Sequence, residues 1–252
     1  MSIELVSIIF IFLLGLIVGS FINVVIYRLP KGESLLWPRS RCPHCGRPIK
    51  AWDNIPLISF LFLRGRCRYC KEPIGWRYPI VELLTGLTFA FSYYRFDWQP
   101  FLLVALFFGA VLLMVSFIDL EHQIIPNKIV FPAMIAGAVL KFGIQPASFL
   151  ASVLGFVMAG GFLLVVGLLR KDAMGGGDVK LAALMGLILD SKVIIALFLA
   201  FIVGAAAGIL LILLKIKGRK ELIPFGPFLA LGGLITLFWS QELLNVYLGR
   251  FQ

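Results

Sequence analysis

Long apolar stretches alternate with short polar ones along the whole chain. The apolar segments fall near residues 3–27, 80–94, 101–118, 128–142, 149–169, 179–189, 193–214 and 225–248. Each predicts a helix, because only helices and closed barrels satisfy their own backbone hydrogen bonds inside a bilayer. The pattern defines an all-α polytopic membrane protein with about eight transmembrane helices. The 179–189 segment is shorter than the roughly 20 residues of a straight span, so it is expected to be tilted, partial or re-entrant, and seven spans stays open. The first segment is too long for a signal-peptide core, carries Glu4 rather than positive charge at its start, and shows no small-residue cleavage site. It is therefore expected to stay as a first span. Gly160, Gly161, Gly204 and Gly208 lie inside spans, where small residues let helices approach closely, and packing is their expected role.

Composition agrees with the pattern: 60% of the 252 residues are hydrophobic and the mean hydropathy is +0.99. Charge adds an orientation. With eight spans and the N-terminus outside, 19 of the 23 Lys and Arg residues fall on one side, in residues 28–79, at Lys128, in 170–180 and in 215–220. Arg95, Lys141, Lys192 and Arg250 fall on the other. The rule that basic loops stay inside then places the long first loop, the turn after Asp119, the glycine triplet and "KIKGRKE" in the cytoplasm. The net charge of +10 needs no nucleic-acid partner, since this topology and contact with anionic headgroups account for it.

The polar segment 28–79 holds all four cysteines, as "CPHC" (Cys42, Cys45) and "CRYC" (Cys67, Cys70). Two such pairs can offer four thiolates to one tetrahedral zinc ion, the intervening chain folding back to bring them together. Disulfides, free thiols, or His44 in place of one cysteine are the alternatives. A reducing cytoplasm disfavours disulfides. With four sulfurs the shell is closed, so the zinc is expected to fold the loop and to leave no open position for chemistry.

Asp119, in "SFIDLEHQIIPNK", and Asp178, in "DAMGGGDVKL", both fall where an apolar segment meets the same side. Charge at the edge of a span is costly and usually functional. The bland readings are a solvated helix end for Asp119 and an N-cap on a helix starting at Val179 for Asp178, approached through flexible glycines. Two carboxylates at matched depth favour a paired function instead. Like charges side by side cannot both ionise easily, so the pair can supply an acid and a base from one residue type.

"GGGD" at Gly175–Asp178 fits the GxGD pattern of intramembrane aspartic proteases. It stands with "GSFINVVIYRLP" (Gly19–Pro30), the double CxxC loop, "RYPIVE" (Arg77–Glu82), "IDLEHQIIPN" (Ile118–Asn127) and "ELIPFGPFLALG" (Glu221–Gly232). Together these resemble the bacterial type IV prepilin peptidases, the prepilin leader peptidase/N-methyltransferases, over almost the whole chain. One departure is Asn127, where the family often has aspartate.

The resemblance implies an enzyme of the cytoplasmic (inner) membrane with its active site facing the cytoplasm. It implies cleavage of a basic leader from prepilins or pseudopilins by Asp119 and Asp178, then methylation of the new N-terminus from S-adenosylmethionine. Gly19 and Glu82 resemble family positions tied to methylation. Their bland readings are a packing contact and a carboxylate at a helix N-terminus. The expected organisation is a first span (1–27), a cytoplasmic zinc-binding loop associated with methyl transfer (28–79) and a transmembrane aspartic peptidase core (80–252). No GxGxxG lies between a strand and a helix, so the methyl donor rests on the resemblance alone.

Asn23, Arg28 and Arg77 either join that second site or anchor headgroups, and His122 reads as a polar loop residue. Glu121 and Glu221 either attract a basic leader or are solvated charges. Two other classes remain: a transporter using the aspartates as a proton or cation relay, and a zinc-knuckle scaffold that needs neither aspartate.

Overall fold

The computed structural model describes residues 3–169, 174–216, 218 and 221–249. It is mostly helical, with turns and two isolated bridges in the loop between residues 28 and 77 and no strand among the described residues. The helices are α1 (Ile3–Arg28), α2 (Ile58–Phe62), α3 (Arg77–Phe96), α4 (Phe101–His122), α5 (Asn127–Ile144), α6 (Phe149–Leu169), α7 (Gly176–Leu189), α8 (Val193–Leu213) and α9 (Gly226–Leu248). Apart from the short α2, each coincides with one apolar segment. The expected fold class is therefore found.

Six helical stretches are long and apolar enough to cross a membrane, which makes the chain a multi-pass membrane protein. They are α1, α4, α5, the stretch 146–169 that contains α6, the stretch 176–213 that runs from α7 through α8, and α9. The difference from eight has two causes. Helix α3 dilutes its apolar residues with Arg77, Glu82, Arg95 and several hydroxyl groups. Helix α7 has only 14 residues, about 21 Å at 1.5 Å per residue. Of the basic residues used to orient the chain, Arg170, Lys171, Lys217, Arg219, Lys220 and Arg250 lie outside the described residues.

The chain divides into two compact units, residues 1–102 and 103–252. In the first, α1 and α3 pack together along "GLIVG" (Gly15–Gly19), two glycines four apart on one face. A Cβ at Gly15 would stand 2.8 Å from the Gly86 Cα, and one at Gly19 would stand 2.7 Å from the Glu82 Cα. Only glycine permits backbones this close. Near the far end of the pair the Trp98 indole donates to Ser7 Oγ at 3.3 Å, and Tyr93 meets Trp98 edge-on.

In the second unit α7 is buried along most of its length, from Leu181 to Leu189. A helix apolar all round belongs in an interior, and α5, α6 and α9 cover it. Helix α6 comes closest, where the backbones of Gly155 and Gly186 touch, and a Cβ at Gly160 would meet the Ala183 Cβ at 2.9 Å. Of the four glycines expected to pack, Gly160 does, Gly204 sits tightly against Phe228, Gly208 makes an ordinary contact with Ile223, and Gly161 faces open space.

The C-terminal end of α7 is pinned by a polar cluster. Lys141 of α5, only 2% exposed, donates to the Ile188 carbonyl at 2.9 Å and to Asp190 Oδ2 at 3.0 Å. Ser152 of α6 donates to Asp190 Oδ1 at 2.6 Å. Sequence counting treated Lys141 as an ordinary loop charge; it is a buried one that ties three helices together. Replacing Lys141 by Leu should strand the Asp190 carboxylate and cost roughly 3 kcal/mol, the low end for breaking a buried pair because Asp190 keeps some exposure. A clear fall in the thermal unfolding midpoint in detergent checks this.

Candidate active site

Asp119 sits in the last turn of α4 and is 5% exposed. Its Oδ2 accepts the backbone N–H of Gly226 at 2.9 Å. Gly226 opens α9, with a proline following it, so the carboxylate meets the positive end of a helix. The fit is tight: a Cβ at Gly226 would lie 2.7 Å from that same oxygen. Gly226 is a residue the sequence reading did not single out, although it lies in the quoted "ELIPFGPFLALG".

Asp178 is the third residue of α7, whose N-cap is Gly175 rather than Asp178 itself. The expected N-cap on a helix starting at Val179 is therefore not found: the helix starts at Gly176 and Asp178 lies inside its first turn. Asp178 Oδ1 is buried and without a hydrogen-bond partner among the described residues. Asp119 lies close enough for the two carboxylates to act on each other electrostatically.

The glycine triplet has distinct duties. A Cβ at Gly177 would strike the Ile125 side chain at 2.6 Å, and one at Gly175 would stand 2.9 Å from Asp178 Oδ2. Nothing lies within 4 Å of a Cβ at Gly176. Two of the three glycines let Asp178 fold back while the chain after α4 packs over it. Asn127, the departure from the family pattern, accepts a hydrogen bond from Lys180 Nζ at 2.8 Å, linking the start of α5 to α7. His122 faces Glu121 at 3.9 Å on the surface, and Glu221 is exposed.

In the first unit, the four cysteines converge with their sulfurs all within 4.8 Å, and they form no disulfide. Two similar knuckles present them. Cys42 N–H donates to the Arg47 carbonyl and Cys67 N–H to the Glu72 carbonyl, with isolated bridges Arg41–Pro48 and Arg66–Pro73 closing each turn. The residue after each second cysteine, Gly46 or Lys71, has positive φ. Cys42 and Cys70 sulfurs are 3.8 Å apart, the edge of a tetrahedron with metal–sulfur bonds of about 2.3 Å. N–H groups of Cys70 and Tyr69 hold the Cys67 thiol down to about 6. The Glu72 N–H pulls Cys70 the same way, yet burial and the sulfurs of Cys67, Cys42 and Cys45 push it up to about 12. Sulfurs crowded like this compete for protons, which a bound cation would relieve. The cluster can hold a metal ion; His44 is exposed and outside it.

Glu82, on α3, is 9% exposed and its Oε2 accepts the Leu57 N–H at 2.9 Å, holding Leu57 at a φ of 57°. Asn23 of α1 donates from Nδ2 to the Tyr78 carbonyl at 3.0 Å. Arg28 donates to the carbonyls of Ser34 and Pro38, at 3.0 and 2.7 Å, and so fixes the start of the loop. The Arg77 guanidinium lies over the Tyr78 ring. Asp53 pairs with Arg68, whose guanidinium holds that carboxyl below the usual range.

Helices long and apolar enough to cross a membrane, two of which carry the aspartates, and a loop whose four sulfurs could hold a metal ion together define a multi-pass membrane protein with a cysteine-knuckle module. Family models concur: residues 13–96 match the bacterial peptidase A24 N-terminal domain, and residues 106–209 match the type IV leader peptidase family. The chain belongs to the type IV leader peptidase family and is an enzyme, a peptidase with methyltransferase activity.

Its curated relatives include prepilin leader peptidase/N-methyltransferases from three bacteria. The Stutzerimonas stutzeri protein is 36% identical, the match covering 93% of this chain and 91% of that one. The Aeromonas hydrophila protein is 38% identical, with 96% and 93% covered. The Myxococcus xanthus protein is 44% identical over 81% of this chain, and the match spans 63% of that longer protein. No solved structure matches the chain.

Two predictions separate the glycines. Gly177→Ala and Gly226→Ala should each lower peptidase activity by about a hundredfold, since displacing a carboxylate by an ångström is enough for such a loss. Gly176→Ala should retain most of it, because its methyl group meets nothing. Cleavage rates of the three purified variants check this.

Proposed function

We propose that the chain removes the basic leader from type IV prepilins or pseudopilins at the cytoplasmic face of a bacterial inner membrane, with Asp119 and Asp178 as one proteolytic unit. It then methylates the exposed N-terminus from S-adenosylmethionine. The observation that carries the peptidase half is the unpartnered, buried Oδ1 of Asp178 within electrostatic reach of an Asp119 whose other flank is fixed by α9. The distribution of basic residues supports the cytoplasmic facing.

Differently held carboxylates at one site can divide the roles of acid and base. One, ionised, takes a proton from water as the water oxygen attacks the scissile carbonyl. The other, protonated, donates to the carbonyl oxygen, and a proton reaches the leaving amine as the tetrahedral intermediate collapses. The Gly226 N–H limits rotation of Asp119 throughout. Gly176, beside which nothing lies within 4 Å, leaves one side of the approach to Asp178 open, as an extended peptide requires.

Cys42, Cys45, Cys67 and Cys70 are the residues that would hold zinc, as a closed four-sulfur site that shapes the loop. S-adenosylmethionine, when bound, supplies an electrophilic methyl group. Methyl transfer to an amine needs the amine deprotonated and aligned, with no aspartate pair, so this half is assigned to the first unit, where Gly19 and Glu82 sit. The domains read as a first span to residue 27, a methyltransferase-associated zinc loop over 28–79 and a peptidase core that follows; the assignment of Glu82 to methyl transfer moves the start of that core from residue 80 to beyond α3, near residue 103.

Asp119→Asn and Asp178→Asn should each reduce prepilin cleavage by roughly 10²–10⁴-fold, with the double variant hardly worse than either single one. A single variant that keeps most of its activity removes that residue from the mechanism. Both asparagine variants should still methylate a precleaved peptide with a free N-terminal phenylalanine; loss of that activity in folded Asp178→Asn would merge the two sites into one. Purified protein should contain close to one equivalent of zinc, and Cys42→Ser should lose it together with the loop's fold. A metal-free active protein with two disulfides would overturn the zinc assignment.

A further inference from the structure

The first unit contains a cavity of about 850 Å³ between the loop and the ends of α1 and α3 that meet it. Its volume is within the roughly 300–1,000 Å³ of small-molecule sites. Cys42 and Cys67 lie on its wall, but sulfurs gathered within 4.8 Å of one another occupy only a corner of such a volume, and the residues at its buried end are unusual for so basic a segment. Glu82 brings a buried carboxylate, fixed by the Leu57 N–H. Asn23, 2% exposed, lines the same end, and its Oδ1 has no hydrogen-bond partner among the described residues, although Nδ2 is committed to Tyr78. A buried acceptor without a donor costs about 1–3 kcal/mol, a cost that a ligand donor would remove. At the exposed end stands Trp37, 72% exposed. Tyr27, Tyr69 and Tyr78, which also line the cavity, are each covered by a cation, Lys31, Arg47 and Arg77 respectively.

We propose that this cavity is the methyl-donor site. Asn23 and Glu82 take the cationic amino-acid and sulfonium end of S-adenosylmethionine, and Trp37 takes the face of its adenine. This rests on the reading that the chain methylates from that donor. The fit is chemical: a ligand carrying an ammonium and a sulfonium needs acceptors and negative charge at one end, and a flat apolar base needs an unoccupied ring at the other.

The assignment gives Gly19 a different role from ligand contact. Gly19 is not among the lining residues, but its Cα faces the Glu82 backbone so closely that a Cβ there would stand 2.7 Å from the Glu82 Cα. Gly19 is a positioning residue: a larger side chain moves Glu82 and with it the buried end of the site.

The test is calorimetric titration of the purified full-length protein with S-adenosylmethionine and with S-adenosylhomocysteine. Glu82→Gln keeps an acceptor for the Leu57 N–H and removes only the charge. This variant, Asn23→Leu and Trp37→Ala should each weaken S-adenosylmethionine binding about tenfold or more, equivalent to about 1.4 kcal/mol, with zinc content and helicity unchanged. Glu82→Gln should weaken the sulfonium donor more than the neutral thioether product.

Light-induced cross-linking of labelled S-adenosylmethionine to the wild-type protein needs no variant, and should mark peptides from residues 1–102. Wild-type protein that binds neither compound would overturn the underlying methyl-donor reading. Wild-type binding left intact in all three variants, or label confined to residues 103–252, would overturn the cavity assignment alone.

Discussion

A carboxylate buried among membrane helices has to be solvated by the protein itself, and the contact between Asp119 and the first N–H of α9 meets that requirement. Much of the second unit is arranged around it. Helix α9 must begin at a glycine because no side chain fits beside the oxygen. Helix α4 has to be a full-length helix whose packed residues, Phe108, Leu112 and Ile118, fix the depth at which Asp119 emerges. The buried helix α7 has to enter beneath the chain at Ile125, which leaves room only for glycine at position 177. Asp119 has a backbone donor whereas Asp178 Oδ1 has none among the described residues, an asymmetry that follows from which helix terminus each aspartate meets.

The number and order of helices were legible because long apolar runs have few alternatives in a bilayer. How many of them cross was less so. Helix α3 mixes charge and hydroxyl groups, of which Thr85 and Ser92 bond back to their own helix backbone and Glu82 reaches the loop, and α7 is short and covered by other helices. The cysteine cluster was legible from spacing, since two CxxC turns leave little freedom in where their sulfurs go. Closeness of the aspartates was suggested by matched depth, but their unequal partners were not, because Gly226 is more than a hundred residues from Asp119 in sequence. Lys141 was misjudged for the same reason: a lysine near the end of an apolar run looks solvated until its partner at Asp190 is known.

Glycine serves three separate purposes in this chain, and composition alone merges them. Gly15, Gly86, Gly155 and Gly186 bring helices into backbone contact. Gly175, Gly177 and Gly226 make room around the two carboxylates. Gly46 takes a left-handed turn behind a cysteine, a conformation that Lys71 adopts in the second knuckle without glycine's freedom. Of these, Gly15 stands four residues before Gly19 in a recognisable small-residue spacing, and Gly175 and Gly177 belong to the GGGD stretch, whereas Gly226 has no such pattern.

Helix α7 holds the Asp178 carboxylate at its first turn and is tethered at its last by Lys141, Ser152 and Asp190. That makes it a ruler of fixed length. Inserting or deleting one residue between the two ends would rotate Asp178 by about 100° and shift it by about 1.5 Å along the axis, turning it away from Asp119. Substitutions along α7 need only preserve volume, whereas its residue count is held constant by geometry.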